Sequence, residues 1–152
     1  SSCALLCLGL SGSLQAADLA PDDELFSSQE IASLRATVLS GTGHHVADIQ
    51  QQGSGNRLDS YQTGSGNLIS LAQRGELNQA QLYQLGSQNE ILLTQDGIAN
   101  RAGIVQLGNE NLAHVYQAGV NNLDIIQQTG NHLNVSISQT GNNNVARVTQ
   151  RN

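Results

Sequence analysis

The 152-residue sequence contains no tryptophan and no methionine, has a single proline, and is only 3% aromatic. It is also without lysine, so all six basic residues are arginines against twelve acidic ones, for a net charge of −6. Each shortage removes a class of protein. So few aromatic rings exclude the aromatic-rich core of an ordinary globular domain. An acidic chain with no basic patch is not built for nucleic acid. The two cysteines, Cys3 and Cys7, both stand near the start, so no disulfide or thiolate framework holds the rest of the chain. The four histidines (His44, His45, His114 and His132) lack cysteine or carboxylate partners at ligand spacing, and no metal or other cofactor is expected. No serine or cysteine has a credible base nearby, and an enzyme is not expected.

Low charge with abundant Gly, Gln and Asn is the composition of a disordered or prion-like tract. What is present argues for order instead. From residue 45 onward a glutamine returns every eleven residues, at Gln51, Gln62, Gln73, Gln84, Gln95, Gln106, Gln117, Gln128, Gln139 and Gln150. Two residues after each stands a glycine: Gly53, Gly64, Gly75, Gly86, Gly97, Gly108, Gly119, Gly130 and Gly141, with only the last unit lacking it. Five residues after each stands an asparagine: Asn56, Asn67, Asn78, Asn89, Asn100, Asn111, Asn122 and Asn144, the column broken only by Leu133. A fixed period over ten units is a property of architecture.

An eleven-residue period would suit a right-handed helical supercoil. Glycine in almost every unit costs about 1 kcal/mol relative to alanine in a helix interior, and asparagine competes for backbone hydrogen bonds there. The strand reading fits better. Two residues before each Gln the position is aliphatic in nine of ten units (Ile49, Leu71, Leu82 and so on, with Ser60 the exception), and four before it is nearly always apolar. The positions between are mostly polar, which is the period-two alternation of a strand with one buried face. A strand of about six residues followed by a Gln-x-Gly-x-x-Asn turn of about five is expected. Two units then make a 22-residue strand–turn–strand coil, and ten units make five stacked coils, roughly 24 Å tall at about 4.8 Å per rung. The fold class expected is all-β: a cross-β solenoid. Continuing the alternation turns Gln and Asn inward, where each amide is expected to donate to its copy above and accept from its copy below. Asp124 at an inward position and Leu133 in the Asn column mark the coil around 122–134 as the least regular, through a local bulge or through inward charge that opposes stacking. Tyr61 and Tyr83, like Leu85 and Leu107, fall in shared outward columns, fit for cross-rung packing or for lateral contact between filaments.

Residues 1–16 read as the remnant of a secretory signal, with a short apolar run from Ala4 to Leu10 and a small-residue cleavage pattern at Leu14-Gln15-Ala16. Residues 17–44 form an acidic leader in which Ser27-Ser28-Gln29-Glu30 could cap a short helix through Ile31, Leu34 and Leu39. The leader reads as flexible, as a recognition segment, or as a cap on the first coil. Residues 45–152 are the repeat domain.

The unit Gln-x-Gly-x-x-Asn, repeating every eleven residues with Ala or another aliphatic residue four before the Gln, resembles the curlin repeat over residues 45–152. The resemblance implies a subunit of curli, the extracellular amyloid fibres of bacteria. The acidic, partly apolar segment Ala17–Leu39 and the Arg-containing end Ala146-Arg147-Val148-Thr149-Gln150-Arg151 resemble the minor, nucleating kind of subunit more than the major fibre subunit. Retention of Asn144 and Gln150 in register departs from the more divergent last repeat of nucleators. The resemblance implies secretion as an unfolded chain through an outer-membrane curli channel with its accessory factors. It also implies self-association, association with the outer-membrane surface, and the major curlin subunit as partner. The terminal coil, at Gln139, Gln150, Arg147 and Arg151, is the expected templating surface, since only two residues follow Gln150. The major fibre subunit, and a capped soluble solenoid that binds a surface, are the alternative readings.

Overall fold

The structure, a computed structural model, describes residues 13–16, 34–40 and 43–152, with side chains described from His44 onward. Ten strands of the repeat region follow one another along the chain: β3 (Gly43–Ser54), β4 (Arg57–Ser65), β5 (Leu68–Glu76), β6 (Gln79–Ser87), β7 (Glu90–Ile98), β8 (Arg101–Asn109), β9 (Leu112–Val120), β10 (Leu123–Asn131), β11 (Asn134–Asn142) and β12 (Val145–Arg151). Alternate strands go to opposite sheets. One sheet carries β4-β6-β8-β10-β12 and the other β3-β5-β7-β9-β11, all in parallel register at an offset of 22 residues, as in Gln84 beside Gln106 and Gln95 beside Gln117. This is the five-coil β-solenoid, and the period dictates it. A register slip of one residue would turn every aliphatic side chain outward.

The core is a narrow double row between the sheets. Leu58, Ile69, Leu71, Leu82, Ile91, Leu93, Ile104 and Ile126 are its largest fully buried apolar members, and Gln73, Gln84, Gln95 and Gln106 are buried as completely. Backbone pairing continues through the corners. Leu77 N–H donates to Ser54 O at 3.0 Å, and Arg57 N–H donates to Asn78 O at 2.8 Å. Few backbone polar groups in the coils are left for water, which is how short strands with so little apolar bulk form a stable stack.

Two features differ from the sequence expectation. The strands β4 to β11 are nine residues long, not six, with two residues between them, as in β4 to β5. The glycines lie inside the strands, paired with one another from coil to coil, as Gly64 with Gly86. Leu34–Ser40, expected to lie in a short helix, is a strand, β2, paired antiparallel with β3. Its apolar residues fit either period, and the edge of β3 supplies the backbone partners that decide it. The expected N-terminal part of that helix, through Ile31, lies outside the described residues. Ser13–Ala16 forms a further strand, β1, antiparallel to β4. Each sheet therefore begins with an antiparallel strand and ends, at β11 or β12, on a parallel one.

Candidate functional site

The Gln column is a ladder of amides. Gln73 Nε2 donates to Gln95 Oε1 at 2.7 Å, Gln84 to Gln106 at 3.0 Å, Gln95 to Gln117 at 2.9 Å and Gln106 to Gln128 at 2.9 Å. The same direction holds from Gln51 to Gln73, Gln62 to Gln84 and Gln128 to Gln150. The second amide hydrogen goes across the coil to a backbone carbonyl sixteen residues earlier, as from Gln95 to Gln79 O at 3.1 Å. Every interior Gln is thus satisfied along the axis and across it. An unpaired buried amide would cost about 1–3 kcal/mol, so each rung depends on the next being Gln as well.

The Asn column was expected to be a second ladder of that kind, and it is not. Asn78 Nδ2 donates to two backbone carbonyls, Arg74 O at 3.0 Å and Gly97 O at 3.1 Å, while its Oδ1 accepts the backbone N–H of Asn100 at 3.1 Å. The same set recurs around Asn100 and Asn122. Amide-to-amide contact in this column is confined to Asn89 and Asn67, at 3.2 Å. Asn is one methylene shorter than Gln and sits at the corner, so it reaches main chain before it reaches its own copy. Each Asn clamps its own corner and the next coil's to the stack. Leu133 accordingly still donates its backbone N–H to Asn111 Oδ1 at 3.0 Å but offers no amide of its own.

The glycines serve close approach as well as backbone geometry. Gly97 has a φ of +122°, and a Cβ there would lie 2.0 Å from the carbonyl oxygen of Gly119 in the next coil. At Gly141 the φ is +111°, but a Cβ would meet nothing nearer than Asn144 Nδ2 at 3.6 Å, because none of the described coils lies against it. A further column went unnoticed in the sequence. Four residues after each Gln the backbone is left-handed, with φ near +57° at Leu77, Gln88, Ala99, Glu110, Asn121, His132 and Asn143. Only Gly55 and Gly66 fill that position with glycine. The corner shape is imposed by the stack on residues that would not choose it.

The later coils loosen. Asp124 is fully buried in the column Leu58, Ala80, Ala102, Asp124, Ala146, and neither carboxylate oxygen makes a hydrogen bond. Burial pushes its carboxyl up to about 6, and the nearby Gln117 amide pulls the other way without closing a bond. That same Gln117 amide makes the longest contact of the Gln ladder, 3.4 Å to Gln139. Pairing of Leu123–Asn131 is unbroken on both sides, so Asp124 does not sit in a bulge.

At β11 and β12 the columns end in edge strands. Gln139 Nε2 bonds Leu123 O at 3.4 Å and Gln150 Nε2 bonds Asn134 O at 2.9 Å. In both, the hydrogen that lower rungs give to the next Gln has no partner among the described residues. Ile137 and Val148 are only partly buried, although their counterparts Val115 and Ile126 are fully buried. Arg147 and Arg151 project outward from β12 into solvent. The edge therefore presents backbone groups, two amide donors, a half-covered core row and a glycine with room above it. Its chemistry is strand addition.

Residues 64–97, three full periods, match the family model described as the curlin associated repeat. Neither the curated proteins nor the solved structures contain a match. The repeat match supports the curlin family, and with the β-solenoid fold it indicates a structural protein.

Proposed function

We propose that this chain is a curli-type structural amyloid subunit that acts as a nucleator, its β11/β12 edge templating polymerisation of a major curlin subunit. The single observation that carries the reading is the β11/β12 edge, whose ladder amides and core row lack a further partner among the described residues. An incoming curlin unit in the same 22-residue register would extend both sheets, accept the free amide hydrogens of Gln139 and Gln150, and cover Ile137 and Val148. The opposite end favours one-way growth, because β2 runs antiparallel to β3 and interrupts the parallel register there. The acidic leader and the Arg-containing end support the nucleating role over that of the bulk subunit. The repeat match supports a secreted, cell-surface location, with attachment to the outer-membrane surface and export through the curli channel as parts of the same proposal.

The test is a thioflavin-T time course of purified major curlin with catalytic amounts of this chain. The proposal expects a shortened lag, and expects Gln139→Leu/Gln150→Leu to return the lag most of the way toward the unseeded value. An unchanged lag with the variant would refute the edge as template. Rapid fibre formation by this chain alone would reassign it as a bulk subunit.

A further inference from the structure

The two broad outer faces of the solenoid carry opposite charge. Among the described side chains, the face built from β4, β6, β8, β10 and β12 projects Arg57, Arg101, Arg147 and Arg151 against one carboxylate, Asp59. The face built from β3, β5, β7, β9 and β11 projects Asp48, Glu76, Glu90 and Asp96 against one arginine, Arg74. The alternation that fixes the interior leaves these outward columns free to vary, so the segregation of sign is not forced by the fold. Nor is it removed by pairing within the described chain: the contact of His132 Nε2 with a Glu110 carboxylate oxygen, 2.8 Å, lies at the turns after β8 and β10.

We propose that copies of this chain associate laterally front to back, the arginine face of one laid on the carboxylate face of the next, with their solenoid axes parallel. Chain direction sets which charges meet. The turns that join β5 to β6 and β7 to β8 lie along one edge, so Glu76 and Asp96 on one face share that edge with Arg57 and Arg101 on the other. A copy translated perpendicular to the sheets brings the two edges together. Shape supports the same contact. Gly103 interrupts the outward column between Gln81 and Ile125, with nothing near where its Cβ would be. It leaves a groove of about 530 Å³ walled by Tyr83, Val105, Leu123 and Ile125. The opposite face offers one protruding ring, Tyr116, which is 40% exposed. A contact between two different faces does not close on itself, so it builds layers of side-by-side stacks and not a dimer. It also weakens with salt.

Sedimentation velocity of the full chain at low and high salt reads the association directly. Four proteins decide it: the wild type, Arg57→Glu/Arg101→Glu, Glu76→Arg/Asp96→Arg, and the chain carrying all four changes. Each double variant is expected to weaken association roughly tenfold, since like charges then face each other. The fourfold variant restores the opposition of sign and with it the association. Tyr116→Ser tests the groove without touching charge and is expected to weaken association at both salt concentrations. Failure of the fourfold variant to recover, or loss on reversing one face with no effect of reversing the other, overturns front-to-back pairing. None of these residues belongs to the β11/β12 edge columns, so the seeding lag stays that of the wild type if the edge templates growth. A changed lag would count against the edge and leave the lateral contact to be judged by sedimentation alone.

Discussion

The middle of the stack and its last two coils are built from the same columns, yet they behave as different materials. Between Gln73 and Gln106 every amide in the Gln column has both partners, the apolar row is sealed, and each glycine has a carbonyl oxygen packed against it. Beyond it the rung from Gln117 to Gln139 stretches to 3.4 Å, a carboxyl without hydrogen bonds lies in the apolar row, and the glycine column opens at Gly141. Position in the stack, not residue type, decides what a side chain is worth. A residue in the middle is fixed from both sides. The same residue at the edge is fixed from one side and available on the other.

The comparison can be broken most severely with one substitution made twice. Gly97→Ala places a methyl 2.0 Å from a backbone oxygen, and the backbone cannot give way without shifting a coil. A loss on the order of 4 kcal/mol or more, or failure to fold, is expected by circular dichroism in denaturant. Gly141→Ala bears only the strain of its positive φ, about 1–2 kcal/mol. Equal losses at the two sites would mean that the glycines serve turn geometry alone.

Next in size is Gln95→Leu, which strips Gln73 of its acceptor and Gln117 of a partner it cannot replace from water; about 2–3 kcal/mol is expected. Gln139→Leu, beneath no further rung, should cost roughly half as much.

Asp124 gives a pH dependence of opposite sign to that of an ordinary paired carboxylate. Its folded pKa, about 6, lies above the ordinary 3.8, so the folded state holds its proton more tightly than the unfolded chain does. The stability this contributes is fully present below about pH 4 and is lost as pH rises through about 6, a change of about 2–3 kcal/mol. Asp124→Asn should flatten that part of the curve in urea titrations from pH 3.5 to 7.5. A wild-type chain that instead gains stability over this range would show that the carboxylate is paired.

The smallest effect is expected at the corners. Ala99→Gly relieves a left-handed residue, at φ +56°, and should stabilise the chain by up to about 1 kcal/mol. Asn121→Gly should give less, because Asn tolerates that conformation.

These contrasts also mark what was legible in the sequence. The eleven-residue period, the inward aliphatic rows and the 22-residue coil could be read directly, because alternation and periodicity are carried by residue type at every rung. The Gln ladder was legible for the same reason. The role of Asn was not: Gln and Asn look alike as buried amides, and only the reach of the side chain from the corner separates a ladder from a backbone clamp. The left-handed column was hidden because glycine fills it only at Gly55 and Gly66, after which Leu77, Ala99 and Glu110 carry the same backbone with no compositional trace. Strand β2 departs from the helix expected there because a seven-residue apolar pattern fits both periods, and its pairing partner, β3, lies outside the pattern. The edge could be located but not described, since partner loss at Gln139 and Gln150 is a property of stacking.

The most direct test of the edge as a template uses Gly141. Its hydrogen has open space above it in this chain, but in a growing stack the next coil's carbonyl would close to about 2 Å from any Cβ, as Gly119 O would at Gly97. Gly141→Ala should therefore leave the isolated solenoid folded, with an unchanged circular dichroism spectrum, while its ability to shorten the thioflavin-T lag of major curlin is lost. A folded Gly141→Ala chain that seeds as well as the wild type would contradict growth from this edge.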